Sequence, residues 1–127
     1  MVAKIYLLAV ASIYFGLAIW CSVSPATTSQ KVGFAIKGGS GQSEFMTVYG
    51  GLEFGIACIF ALGVVRSETV GLTVLACVII HGALVLFRSM SFFMFRDIDS
   101  FTYKLAAGEW LITILGVAIL IGARSKS

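Results

Sequence analysis

The chain has 127 residues, of which 59% are hydrophobic and 12% are charged, and its formal net charge is +3. Soluble domains carry about 25% charged residues, so a water-soluble chain of this composition would expose large apolar patches and aggregate. The mild positive charge forms no basic patch with interleaved aromatic residues, which argues against a nucleic-acid partner. We therefore predict an integral membrane protein.

Four apolar stretches, at about residues 5–23, 45–65, 69–87 and 102–122, are each near the ~20 residues with which a helix crosses a bilayer. We name them spans 1 to 4. The run after Lys4 is longer than the apolar core of a cleaved signal peptide, so we interpret span 1 as a retained signal anchor. The expected fold is all-α: one domain, residues 1–127, forming an antiparallel four-helix bundle with both termini on the same side of the membrane.

The connections between the spans differ in length. Arg66–Glu68 is the only hydrophilic break between spans 2 and 3, and it predicts a tight helical hairpin. The segment 24–44 is rich in Gly, Ser and Thr and predicts an interfacial loop, with a lid over a pocket as the alternative. The segment 89–101 places aromatic residues beside charges, which is typical of a short amphipathic segment lying in the membrane interface.

The spans carry a small set of ionisable residues, Glu53, His81, Arg88 and Glu109. A charge in the hydrocarbon core costs roughly 2.5 to 3.5 kcal/mol on insertion scales, so such residues are rarely accidental. At a rise of ~1.5 Å per residue, Glu53 lies roughly 12 Å, and His81 and Glu109 roughly 10 Å, from the span ends that face away from the termini. Arg88 lies near that end of span 3. All four are therefore expected in the same half of the membrane.

Helical spacing assigns the residues of span 2 to two opposite faces. Tyr49 and Glu53 share one face, and Gly51 and Gly55 point about 160° away from Glu53. The two glycines form a GxxxG stripe, a pattern that lets helix backbones approach closely. We therefore predict a polar face toward the bundle and a helix-packing face at Gly51 and Gly55.

Span 3 places Thr73, Cys77, His81 and Arg88 on one stripe. A guanidinium group suits a carboxylate fork, so Arg88 is placed to pair with Glu109 or with Glu53. The predicted site is an intramembrane pocket that binds a ligand or protons, formed by Tyr49, Glu53, His81, Arg88 and Glu109.

Each ionisable residue also has a purely structural interpretation. Arg88 can extend to the headgroups, Glu109 can be its architectural partner, and His81 can hydrogen-bond a neighbouring span. Glu53 is the hardest to explain structurally, because it is deep and lies away from the span ends.

Metal and cofactor chemistry has little support. Cys77 and His81 have the spacing of a metal-ligand pair, but the chain has one His and no second Cys beside them, so we expect no metal site. We find no phosphate loop, Ser-His-Asp set or dinucleotide fingerprint and expect no cofactor. Cys21, Cys58 and Cys77 all fall in apolar segments and are interpreted as free thiols, without an assigned role.

A family resemblance rests on the run Ser43-Glu44 through Tyr49-Gly50-Gly51-Leu52-Glu53-Phe54-Gly55, followed by an Arg that closes span 3 and a Glu early in span 4. This pattern resembles an uncharacterised family defined by a domain of unknown function. Its members are small four-helix bacterial membrane proteins, similar in layout to the DoxX-like proteins. They often carry a basic residue shortly before the Tyr, and this chain does not. The resemblance implies the fold and a location in the bacterial inner membrane, and it brings no established activity.

Three functions remain open from the sequence. The first is binding or transport of a small amphipathic or lipid-like ligand, in which Glu53 and Glu109 bind or exchange protons, Arg88 selects an anionic group or pins Glu109, and His81 senses pH. The second is an accessory or structural subunit of a larger membrane complex, or a homo-oligomer, with the glycine stripe as an interface. The third is a membrane isomerase-like enzyme that uses carboxylates as general acid and base.

Overall fold

A computed structural model describes residues 1–124, with the side chains of residues 1–123, so the last three residues of the predicted domain lie outside the described residues. Four helices are long and apolar enough to cross a membrane: Val2–Val23, Gly38–Val65, Ser67–Met94 and Ser100–Ala123. They are spans 1 to 4 in the structure. The predicted all-α antiparallel membrane bundle is confirmed, with no strand among the described residues.

Two helices extend beyond their predicted apolar stretches. Span 2 begins at Gly38 rather than near residue 45, and span 3 continues to Met94 rather than ending near residue 87. Hydropathy marks only the part of a helix at hydrocarbon depth, ~30 Å thick, whereas backbone hydrogen bonding continues into the headgroup region. The extra turns are therefore helical without being apolar enough to be recognised as part of a span.

Span 1 is central to the packing of the bundle. It packs along most of span 2 and also contacts spans 3 and 4, whereas span 4 packs mainly on span 3. Its inward stripe repeats at helical spacing and consists of Tyr6, Leu7, Val10, Ala11 and Tyr14. Leu7 packs in a core with Phe60 of span 2 and Val74 of span 3. The outward faces of all four spans carry exposed apolar side chains, as expected where lipid is the solvent.

Span 2 contains a π-helical segment, Met46–Gly51, between α-helical stretches at Gly38–Phe45 and Leu52–Val65. π-Helical turns are rare and frequently lie at functional sites. Gly50, within this segment, is buried, and a Cβ there would collide with the Ser22 side chain of span 1. Spans 1 and 2 therefore approach closely at Gly50, three residues before Glu53.

The two glycines predicted to pack helices do not have the close surroundings of Gly50. Gly51 and Gly55 are exposed, and a Cβ at either position would meet no atom within 4 Å. They make no helix contact inside the described chain, so their predicted packing role requires a partner from outside it. Helical spacing puts both glycines on the face opposite Glu53, but it does not show whether another helix of the same chain covers that face. The close contact inside the chain falls at Gly50 instead.

The connection between spans 1 and 2 is more helical than predicted. It holds the short helix Pro25–Lys31, and only Ser24 and residues 32–37 lie outside a helix; we call residues 32–37 the strap. Pro25 begins the short helix, a position where its fixed φ and missing N–H are tolerated. The strap includes Gly33 at φ +80° and ends before Gly38 at φ +62°, both in the left-handed region that favours glycine.

The connection between spans 3 and 4 does not form the separate amphipathic segment predicted for residues 89–101. Span 3 continues to Met94, residues 95–99 are irregular, and span 4 begins at Ser100. Asp99 caps span 4, because its Oδ1 accepts a hydrogen bond from the Thr102 backbone N–H at 2.9 Å. This hydrogen bond favours the charged carboxylate and lowers the pKa of Asp99.

Candidate functional site

Arg88 of span 3 and Glu109 of span 4 form a bidentate ion pair. Arg88 Nε donates to Glu109 Oε2 at 2.7 Å, and Nη2 donates to Oε1 at 2.6 Å. The two side chains are 26% and 13% exposed. Parallel N–H···O bonds of this kind combine geometric specificity with strength. The pair joins spans 3 and 4 and occupies both oxygens of the Glu109 carboxylate.

His81 is enclosed, at 1% exposure, and both of its ring nitrogens have partners. Nδ1 lies 2.9 Å from the Cys77 carbonyl oxygen, and Nε2 lies 3.2 Å from the Tyr14 hydroxyl of span 1. A carbonyl only accepts hydrogen bonds, so Nδ1 carries a proton. A second proton on Nε2 would leave an enclosed cation without an ion-pair partner among the described residues, which is costly, so Nε2 accepts the Tyr14 O–H. In this tautomer the imidazole is uncharged.

A second hydroxyl of span 1 extends this polar network. The Tyr6 hydroxyl donates to the Ile112 carbonyl of span 4 at 3.0 Å and lies 3.1 Å from Cys77 Sγ. Its single hydrogen serves Ile112, so the Cys77 thiol is the donor to the Tyr6 oxygen. Gly116 of span 4 makes room for it, since a Cβ there would lie 2.7 Å from the Tyr6 hydroxyl. Tyr6 thereby links spans 1, 3 and 4.

Tyr6 and Tyr14 belong to the polar interior, although neither is part of the pocket predicted from the sequence. A tyrosine within an apolar run reads as part of the run, although a buried hydroxyl normally finds a hydrogen-bond partner. The usable signal was their spacing of eight residues, about two helical turns, which puts both rings on one side of span 1.

Glu53 of span 2 differs from the other ionisable residues of the interior. Its side chain is partly buried, and its Oε2 is enclosed without a hydrogen-bond partner among the described residues. The Arg88–Glu109 pair is the only ion pair among the described residues, so no cationic side chain of the described chain pairs with Glu53. Glu53 is therefore a buried acceptor that the described chain leaves unpaired.

Tyr49 lies about one turn from Glu53, in an aromatic cluster. Its ring stacks on Phe45 with centroids 4.6 Å apart, and the strap residue Phe34 meets Tyr49 at 5.8 Å and Phe45 at 6.4 Å. These three rings, which we call the aromatic cluster, line a shallow open depression of about 460 Å³ beside the strap. The strap thus packs against Phe45 and Tyr49 of span 2.

A second open groove, of about 710 Å³, lies between span 1 and the π-helical segment of span 2. Apolar side chains of both helices line it, together with Ser22, Ser43 and Thr47. Glu53, His81, Arg88 and Glu109 line neither this groove nor the depression beside the strap.

The five residues of the predicted pocket thus fall into separate groups. Arg88 and Glu109 pair with each other, His81 joins Tyr14 and Cys77, Tyr49 joins the aromatic cluster, and Glu53 has no hydrogen-bond partner among the described residues.

Metal binding and disulfide chemistry are not visible in the arrangement of side chains. Among the residues that the structure describes, no three His, Cys, Asp or Glu side chains are placed to hold a metal ion together. Cys21 and Cys77 are buried free thiols, and Cys58 is an exposed one on span 2. Cys77 contributes through its hydrogen bonds to Tyr6 and His81.

Comparisons with protein-family models, with curated proteins and with solved structures find no match for this chain. The fold and its interior define the class of protein: an integral membrane four-helix bundle with four candidate spans and a hydrogen-bonded polar core.

Proposed function

We propose that this protein binds a small amphipathic or lipid-like ligand inside the membrane, and that Glu53 makes the polar contact to it. The observation that carries the proposal is the enclosed Glu53 Oε2, which has no hydrogen-bond partner among the described residues. A buried polar atom without a partner costs about 1–3 kcal/mol, and more for a charged group. A buried polar atom without a partner needs an explanation, and a ligand that supplies the missing partner is the one we propose.

The other ionisable groups of the interior support this assignment, because their hydrogen-bonding atoms already have partners within the chain. Both oxygens of Glu109 accept hydrogen bonds from Arg88, and both nitrogens of His81 have partners within the chain. A ligand that displaced either arrangement would have to replace strong internal hydrogen bonds. Glu53 requires no such exchange.

The binding of membrane-derived molecules to the purified protein tests the proposal. After incubation with a total lipid extract, the wild-type protein in mild detergent should carry a discrete non-covalent adduct in native mass spectrometry. Glu53→Gln keeps the size of the side chain and removes its charge, so the adduct should be lost. Glu68→Gln, at the hairpin between spans 2 and 3, is the matched control and should keep it. Equal adduct occupancy in wild type and Glu53→Gln would contradict the proposal.

A second candidate, a subunit of a membrane complex or a homo-oligomer, is favoured by the open face of span 2. Gly51 and Gly55 lie on that face without a helix contact inside the described chain. Glycines on a lipid-facing surface let a second helix approach closely. Gly55→Leu should then shift the oligomer or complex mass in the same spectra, and an unchanged mass would remove this candidate.

The acid–base reaction considered from the sequence has weaker geometric support. It requires two carboxylates free to exchange protons, and Arg88 holds both oxygens of Glu109. The family resemblance adds a location to the proposal: a bacterial inner membrane, in which the four candidate spans would lie.

A further inference from the structure

The ionisable side chains in the interior of the bundle do not balance in charge. Arg88 and Glu109 cancel each other, and His81 in the tautomer assigned above is neutral. No other ion pair occurs among the described residues, so no cationic side chain of the described chain pairs with Glu53. Ionised Glu53 is therefore one negative charge without a counter-charge from the described residues. An isolated charge in a low-dielectric interior is costly, so it is normally paired.

The ion pair also removes the anion-selecting role that the sequence suggested for Arg88. Its Nε and Nη2 both donate to Glu109, and the bidentate geometry fixes the plane of the guanidinium group. An anionic ligand would have to compete with a carboxylate at 2.6 and 2.7 Å from those nitrogens. It would also face the uncompensated Glu53, so like-charge repulsion disfavours an anion twice.

The aromatic cluster supplies the second feature of the site. Tyr49 lies about one turn from Glu53 on span 2, and Phe34 and Phe45 pack against the Tyr49 ring. The faces of aromatic rings attract cations within ~6 Å of the ring centroid through the ring quadrupole. Their apolar surface also suits the hydrophobic body of an amphipathic molecule. A carboxylate about one helical turn from the Tyr49 ring is thus complementary to a positively charged head on an apolar body.

We infer that the ligand of this site is a monocationic amphiphile, such as an organic ammonium or phosphonium compound, held by Glu53 and by the aromatic cluster near it. The inference rests on the function proposed above and names the charge of its ligand. The ligand's positive charge compensates Glu53, and its apolar body remains in contact with the spans and the lipid. Proton binding at Glu53 would compete with the ligand, because both neutralise the same carboxylate.

Two probes of the same shape and opposite charge test the inference. Tetraphenylphosphonium is a lipophilic cation, and tetraphenylborate is its anionic counterpart. Each would be titrated by calorimetry into the full chain reconstituted in phosphatidylcholine nanodiscs, with empty nanodiscs as the blank for partitioning into lipid. Wild type should bind the cation saturably and show no saturable binding of the borate. Glu53→Gln should weaken cation binding by roughly 30-fold or more, the lower end for breaking a buried charge pair.

Two variants separate charge from other effects. Glu53→Asp keeps the charge and should retain part of the affinity for the cation. Glu68→Gln removes one negative charge at the distant hairpin and should leave the affinity unchanged.

Saturable binding of tetraphenylborate, or equal cation binding by wild type and Glu53→Gln, would overturn the cationic class of ligand. If the lipid-extract adduct still depends on Glu53 in that case, the proposed binding function stands and only the ligand class fails. If neither the adduct nor the probe depends on Glu53, both fail together.

Discussion

Glu53 and Glu109 are the same kind of side chain in spans that run in the same direction, yet their surroundings are opposite. Arg88 donates two short hydrogen bonds to Glu109, while Glu53 Oε2 has no hydrogen-bond partner among the described residues. One carboxylate therefore belongs to the architecture of the bundle, and the other has no partner inside the described chain that a ligand would have to displace. Depth in the membrane does not distinguish the two roles; the hydrogen-bond partners do.

Removal of one member of the Arg88–Glu109 ion pair should have the largest effect on stability. Arg88→Met or Glu109→Gln should each lower the free energy of unfolding by about 3–5 kcal/mol, because each leaves a buried group without its partner. The double variant should lose less than the sum of the single losses. Unfolding in mixed detergent, followed by tryptophan fluorescence, measures all four proteins.

Arg96→Gln is the control for this cycle, since Arg96 is exposed. It should leave the stability unchanged. Additive losses in the Arg88 and Glu109 variants would show that the two side chains act independently and that Arg88 mainly extends to the headgroups.

The close contact beside Glu53 can be disturbed without touching its charge. Gly50→Ala places a Cβ against Ser22 and should lower the free energy of unfolding by about 1–3 kcal/mol through overpacking. Gly51→Ala meets no atom within 4 Å and should be neutral or slightly stabilising, because alanine favours helix over glycine. Thermal unfolding of the two variants makes the comparison.

Ser22→Gly should restore part of the stability lost in Gly50→Ala by removing the obstructing side chain. If Gly50→Ala and Gly51→Ala unfold alike, spans 1 and 2 are not in close contact at the π-helical segment.

Removal of the Tyr14 hydroxyl tests whether the hydrogen bonds of His81 stabilise the fold, as those of Glu109 are expected to do. Tyr14→Phe removes the donor to His81 Nε2 and should cost about 1–3 kcal/mol, the range for a buried group left unpaired. Tyr103→Phe, at an exposed tyrosine of span 4, is the matched control. Stability in Tyr14→Phe equal to that of the control would mean that the Tyr14–His81 hydrogen bond contributes nothing to folding.

The smallest expected effect on stability is that of Glu53→Gln. No hydrogen bond within the described chain is lost, so the free energy of unfolding should stay within about 0.5 kcal/mol of wild type or rise. The same denaturation assay compares it with Glu109→Gln, the same chemical change at the paired carboxylate. A loss as large as that of Glu109→Gln would show that Glu53 has a structural partner.

The sequence predicted the architecture well because each apolar run is long enough to cross a bilayer, and only a helix satisfies its own backbone there. The sequence also placed Arg88 within reach of two carboxylates, Glu53 and Glu109, but only the side-chain geometry shows that its partner is Glu109. The partner of His81 on span 1 could not be predicted from the sequence, since Tyr14 is 67 residues away in the chain. Helical spacing orders residues within one span and contains no information on how another span is rotated against it.

The glycines of span 2 illustrate a second limit. Counting at a constant angle placed Gly51 and Gly55 on one face of span 2, but it did not anticipate the π-helical segment, where Gly50 makes the close contact with span 1. Such a segment has no recognisable composition here, because Met46–Gly51 would fit an α-helix equally well by hydropathy. Its existence depends on how span 2 packs against span 1, which only the tertiary structure reveals.

The hydroxyls of Tyr6 and Tyr14 solve a problem of assembly that is specific to lipid. A helix that is apolar on every side can spin about its axis in a bilayer at little cost, because lipid tails and neighbouring side chains are almost equally good surroundings. Tyr6 bonds to Ile112 and Cys77, and Tyr14 bonds to His81, two turns further along span 1. Only one rotational setting of span 1 satisfies both hydroxyls at once. These two hydroxyl oxygens therefore select one rotational orientation of an otherwise apolar helix, and with it one packing of the bundle.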